Sequence, residues 1–288
     1  MIGRKFGSIA MICFLALLPL FYTIGCGRRS TGIDGSKGGV KSAVDLYLFV
    51  PCGMIEPFFV LKRKFTKRTG KRINIHFNNA VVLLRKIRRG ERPDILVTPG
   101  ELEMRMMTDE GYIDPKSVRT FGTFHMVLVV PKENRARVRT LADLAKPSIK
   151  HVAIAEPSLN SAGFYAKKIL ENAGLWDKVE RKLVTHWHAL EAAAFVCKGR
   201  VDVGIYYATC PFKSGPQKLK EVGVREQQPY RIVYTIPQKL YPPVKVQAGI
   251  LKEAGHTQLA KQFIEFMLEP ETQKLLAEKG IPNFNSSE

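Results

Sequence analysis

Short apolar, β-branched runs alternate along this chain with longer stretches of helical periodicity, and few architectures other than α/β with largely parallel strands accept that alternation. Leu46 to Val50 is an apolar run closed by Pro51-Cys52-Gly53. It predicts a strand, followed from about Glu56 by a helix with Pro57 in its first turn, Phe58, Leu61 and Phe65 on one face, and Gly70 as its stop. Ile73 to Phe77 predicts the next strand, Asn79 a helix cap, and Val81 to Arg89 a helix ended by Gly90. Asp94 to Thr98 and Glu101 to Glu110 repeat the pair, up to Gly111. Phe124 to Val130 reads as a strand that carries the chain into a second lobe, where Val152–Ala155, Ala162–Ala173, Glu191–Lys198 and Val203–Tyr207 resume the alternation. Tyr230 to Ile236 reads as the return crossover, Val244 to Leu251 as a strand of the first lobe, and His256–Glu269 and Glu271–Lys279 as closing helices. The expected fold is therefore α/β and two-lobed, each lobe a mainly parallel sheet flanked by helices, with a ligand cleft between. Residues 44–123 plus 229–288 would form a discontinuous lobe 1, and 124–228 lobe 2.

The start of the chain is of another kind. Arg4 and Lys5 precede an almost wholly apolar run from Ile9 to Phe21 that contains Pro19 and is shorter than the ~20 residues of a spanning helix, so residues 1–25 are expected to be a signal peptide. Thr23-Ile24-Gly25-Cys26 resembles the lipobox of bacterial lipoproteins, although Thr23 departs from the aliphatic residue usual there. The resemblance implies lipidation of Cys26, against a plain cleaved signal or an uncleaved anchor. Gly27 to Lys41 is rich in Gly, Ser and basic residues, which makes 26–43 a flexible linker that would hold the body off a membrane. A periplasmic or outer-surface location follows from this reading.

The formal net charge is +19, and it points to an anionic partner. Nucleic acid is not expected, because the basic residues are scattered and the chain starts with an export signal. No Ser-His-Asp order, nucleophile elbow, paired-His motif or P-loop occurs, so neither catalysis nor a cofactor is expected. Past Cys26 the thiols are Cys52, Cys197 and Cys210, an odd set without framework spacing, so at most one bridge is expected. Cys197, on an Ala-rich helix face, reads as an inert buried thiol.

Four strand-to-helix junctions recur, at Pro51–Glu56, Asn78–Val81, Pro157–Ala162 and His188–Glu191. In open parallel sheets such turns share one edge, and helix N-termini there present unpaired N–H groups suited to an anion. The segment HVAIAEPSLNSAGFYAKKILENAGLWDK (His151–Lys178) and the strand VDVGIYYAT (Val201–Thr209) resemble the second lobe of the molybdate-binding proteins of bacterial ABC importers, with PDILV, MVLVVPK and YRIVYTIP falling in matching order. That resemblance spans Val44 to Phe284. It implies the periplasmic-binding-protein fold and a tetrahedral oxyanion, molybdate or tungstate, held by neutral donors for delivery to a membrane permease by a monomer.

By position, the resemblance makes Ala162 and Ala189 backbone donors and Tyr207 a phenolic donor, while Gly53 and Ala80 stand where the family has serines. The oxyanion, and with it the metal centre it carries, would be held by Gly53, Ala80, Ala162, Ala189 and Tyr207, with Asn79, Ser161 and His188 as further ligand-facing residues. Each has a plainer reading: Tyr207 as a core tyrosine, Asn79 and Ser161 as helix caps, His188 as a surface histidine. Two rivals keep the fold. Cys52, His188 and Cys210 would form a soft metal site if they converged, and a tethered sensory module would keep a degenerate cleft.

Overall fold

The computed structural model describes residues 44–208 and 230–284, which leaves the signal segment, Cys26, the linker and Cys210 outside the described residues. Two five-stranded sheets organise the chain. The first has the order β2 (Ile73–Asn78), β1 (Leu46–Pro51), β3 (Ile95–Thr98), β10 (Val246–Ile250), β4 (Arg119–Gly122). The second has the order β7 (Leu183–His186), β6 (Val152–Ala155), β8 (Val203–Tyr207), β5 (Met126–Pro131), β9 (Tyr230–Thr235). In the first sheet β1 pairs parallel with β2 and β3, while β10 pairs antiparallel with both β3 and β4. In the second, β6 pairs parallel with β7 and β8, and β5 pairs antiparallel with β8 and β9. Each sheet thus has four strands running one way and a single reversed strand, β10 or β5, which is the largely parallel arrangement expected of two lobes.

Helices follow the parallel strands: α1 (Ile55–Thr69) after β1, α2 (Ala80–Arg88) after β2, α3 (Glu101–Asp109) after β3, α4 (Ser161–Asn172) after β6 and α6 (Ala189–Cys197) after β7. A short α5 (Trp176–Val179) extends α4, and α7 (Thr257–Leu268) and α8 (Pro270–Glu278) close the chain. α1 ends at Gly70, which takes the left-handed φ of 72° that favours glycine. Its Phe65 packs against Phe263 and Phe266 of α7 at 5.1 and 5.4 Å between ring centres, fastening the last helices to the first lobe. Buried Asp94 adds a polar tie by accepting from the Tyr47 and His256 amides at 2.8 and 2.9 Å. Among the described residues no helix is long and apolar enough to cross a membrane.

Three elements depart from expectation. β4 and β7 are strands that the apolar pattern does not reveal, because each is four residues long and lies at a sheet edge, where one side needs no apolar cover. Tyr230 to Thr235, placed with lobe 1 from the sequence, pairs along β5 of the second sheet. The return crossover therefore follows Thr235. Ser161 is not a cap but the first residue of α4; Asn160 is the cap, its side chain accepting from the Ala162 amide.

α4 can lie directly on β6 because Gly163 has no side chain: a Cβ there would stand 2.7 Å from the Ala155 carbonyl carbon. Gly163→Ala is expected to lower stability by about 1–3 kcal/mol through overpacking against backbone, measured as the midpoint of chemical unfolding.

Candidate ligand-binding cleft

The strand-to-helix turns of both lobes meet at one small cavity. From the first lobe come Pro51, Cys52, Gly53 and Met54 after β1, Asn79 and Ala80 after β2, and Pro99 after β3. From the second come Asn160 and Ala162 before and in α4, and Tyr207 at the end of β8, with Phe124 on the crossover between sheets. The cavity measures about 30 Å³, roughly two to three times the least space that admits one water. A space of that size suits a compact ion. No charged side chain is among the eleven residues that line it, in a protein of formal charge +19.

Donors at the three helix ends differ in what they leave for a ligand. Asn79 accepts from the Val81 amide at 2.8 Å and Asn160 from the Ala162 amide at 2.9 Å, so both side-chain oxygens are spent on their own helices. What each asparagine can still offer is its NH2 group. The Ala162 N–H, expected from the sequence to be a ligand donor, is therefore already engaged by Asn160. At the first lobe's leading end the arrangement is different: Cys52–Met54 form a single 3-10 turn running into α1, and no side chain caps it. The first-turn N–H groups around Gly53 are the kind that a bound anion satisfies.

Tyr207 is 2 % exposed, its ring 5.1 Å from that of Phe124 and 6.5 Å from that of Tyr165. Its hydroxyl lies beside the β3–α3 turn: a Cβ on Gly100 would stand 3.1 Å from it. Gly53, Asn79, Ala80, Ala162 and Tyr207 are thus brought together at the cavity.

Two expected residues are not among its lining. Ser161 is fully buried behind the wall, its amide and hydroxyl both turned to Glu103. His188 is half-buried and stacks edge-on with Trp187, ring centres 5.5 Å apart, because the β7–α6 connection turns it to that ring. Ala189 begins α6, and its side chain lies outside the described residues. Asn160, Pro99 and Phe124 were not singled out from the sequence. For Asn160 a signal exists, an Asn directly before a helical run.

Of the soft-metal alternative, Cys210 lies outside the described residues, and His188 is not a lining residue of the cavity. Among the described residues no group of three His, Cys, Asp or Glu is placed to hold a metal ion. Cys197 is buried, and burial pushes its thiol up to about 11, which keeps it protonated and unreactive.

A compact, uncharged cavity between two α/β lobes, at the strand ends where helices begin, defines a solute-binding protein. Residues 46–281 match the family described as bacterial extracellular solute-binding protein, and the chain belongs to that family. Among its relatives, a putative ABC transporter substrate-binding lipoprotein of Bacillus subtilis is 24% identical over 93% of this chain and 96% of its own. The molybdate-binding protein ModA of Rhodobacter capsulatus is 25% identical over 83% of this chain and 88% of its own. The periplasmic molybdate-binding protein of Azotobacter vinelandii has the same fold, with a TM-score of 0.64 at 20% identity over 82% of this chain and 98% of that structure.

The caps can be separated from the ligand chemistry. Asn160→Ala is expected to cost about 1 kcal/mol of stability through loss of the α4 cap, while Asn160→Ser, an equally good cap that adds no charge, leaves it nearly unchanged. Thermal unfolding of the two variants side by side checks this.

Proposed function

We propose that this protein captures a tetrahedral oxyanion outside the cytoplasm, molybdate or tungstate first, and delivers it as a monomer to the permease of an ABC importer. The observation that carries the reading is the cavity: small, lined from both lobes, flanked by helix N-termini and free of charged side chains. Fixed N–H dipoles stabilise a desolvated dianion without an ion pair that would hold any anion of the right charge. The names of the relatives from Bacillus subtilis and Rhodobacter capsulatus agree with an importer component and with molybdate. Under this reading Tyr207, the NH2 groups of Asn79 and Asn160, and backbone N–H groups at Gly53 and Ala80 form the donor set. Lipidation at Cys26, with 26–43 as tether, would keep the body near the permease.

A second reading keeps site and transport but changes the oxyanion. It is favoured by Gly53 and Ala80, which put no hydroxyl where the molybdate-binding family has serines.

Calorimetry against molybdate, tungstate, sulfate and phosphate separates these outcomes. Molybdate or tungstate is expected to bind tightest, sulfate or phosphate binding tightest would select the second reading, and no heat from any of the four would overturn both. Tyr207→Phe removes one hydrogen bond to a charged group, worth about 1.5–3 kcal/mol, and is expected to weaken binding roughly 10- to 100-fold; an unchanged affinity would take Tyr207 out of the site. Asn79→Asp keeps the cap but brings a negative charge into the cavity, so binding is expected to vanish.

A further inference from the structure

Glu103 does something that the binding site does not require. It lies on α3, which packs on β3 and β10 of the first lobe, yet its carboxyl reaches α4, which packs on β6 and β8 of the second. Oε1 accepts from the Ser161 amide at 2.9 Å, and Oε2 meets the Ser161 hydroxyl in a short hydrogen bond. Both residues are 0 % exposed. Gly100, three residues before Glu103, allows the approach: a Cβ there would stand 2.5 Å from the Ser161 hydroxyl oxygen. A carboxyl of the protein's own thus sits at the N-terminal end of α4, where the helix favours negative charge. Arg85 of α2 also lies over the Trp187 ring of the second lobe at 5.3 Å, a more exposed bridge.

We propose that Glu103 is an interlobe clasp: by bonding to both the amide and the hydroxyl of Ser161 it holds the two lobes shut around the cavity, independently of any bound anion. It is a positioning residue, one layer behind the cavity wall.

Closing is then linked to a proton. The charged groups around the clasp are Glu101 and Arg105 on α3 and Lys245, whose ammonium pairs with Glu101 at 3.3 Å; Tyr165 of α4, whose hydroxyl burial raises well above its ordinary value, and Tyr207, whose hydroxyl lies beside Gly100, are titratable neighbours as well. Among the described residues no Lys, Arg or His forms an ion pair with Glu103, so its charge has neutral donors, those of Ser161 and its own backbone N–H, to replace water. Burial raises its carboxyl above the ordinary carboxylate value, the Ser161 hydrogen bonds opposing in part. With the lobes apart Glu103 is hydrated and its carboxyl returns to the ordinary carboxylate value. In the window between that value and the raised one, closing takes up one proton from solvent. The closed state is accordingly favoured as pH falls and weakened as pH rises through the raised value.

The test is small-angle scattering of the full chain without added oxyanion, from about pH 4 to pH 8, a range that starts near the ordinary carboxylate value. Wild type is expected to fit the closed arrangement at the acid end and to expand as pH rises. Glu103→Gln, which keeps an acceptor and a donor for Ser161 but no charge, should stay closed across the range. Glu103→Ala should be expanded throughout. An alanine variant that scatters like wild type at every pH would remove the clasp, and a glutamine variant with the wild-type pH dependence would remove the proton linkage. If the alanine variant does not fold, carboxyl NMR of glutamate-labelled wild type still decides: one resonance, absent from Glu103→Gln, should titrate above the ordinary carboxylate range, and its absence overturns the linkage. None of these readouts involves an oxyanion, so the clasp and the proposed ligand stand or fall separately.

Discussion

Strand direction is the constraint on which the rest of the molecule depends. Because four of the five strands in each sheet run the same way, every β-to-α turn of a lobe emerges at the same edge. Helix N-termini are brought to that edge by topology alone, and with them the polar backbone groups that a helix cannot satisfy internally. Two lobes that face each other across such edges form a site from main-chain atoms before any side chain is chosen. The single reversed strands, β10 and β5, complete the sheets next to the crossovers, so the chain can change lobe without losing the shared edge.

Given that edge, the asparagines decide how many donors remain. A cap strengthens its helix by taking an N–H that an anion would otherwise use. α2 and α4 are capped in this way by Asn79 and Asn160, whereas the turn before α1 is not capped by a side chain. The two capped ends thus trade a main-chain donor for a side-chain NH2, which is longer and better able to adapt to the position of an oxygen. Glu103 takes a further α4 donor, the Ser161 amide. The balance of main-chain donors therefore shifts to the first lobe, where Gly53 and Ala80 leave room for a ligand to approach the backbone.

Much of this was legible in the sequence, for physical reasons that differ by element. Buried strands such as β1, β3 and β8 announce themselves as unbroken apolar runs because both faces are covered. Edge strands β4 and β7 carry mixed, short patterns, since half of their surface needs no apolar partner. β9 was visible as a strand, but its partner was not, since pairing is a tertiary choice that a pattern of period two does not encode. The strand-to-helix turns that hold Gly53, Asn79, Ala80 and Ala162 could be placed from the sequence pattern, whereas Gly53, Ala80 and Ala162 within them were singled out by the resemblance to the molybdate-binding family. Pro99 and Phe124 could not, because only the approach of the two lobes brings them to the same space. Glu103 was equally hidden: in sequence it is one acidic residue in the first turn of a helix, a position that the helix dipole alone explains.

Charge is distributed so that capture and selection are separate tasks. A formal +19 over the chain gives a long-range field that draws any small anion toward the protein. The cavity itself contributes no formal charge from its lining, so what is retained there is decided by the fit of dipoles to oxygens in a space of about 30 Å³. A lysine in the wall would hold any small anion of the right charge alike. Neutral donors respond steeply to distance and direction, which makes the number and reach of N–H groups, rather than net charge, the property on which the choice of ligand turns under the proposed oxyanion reading.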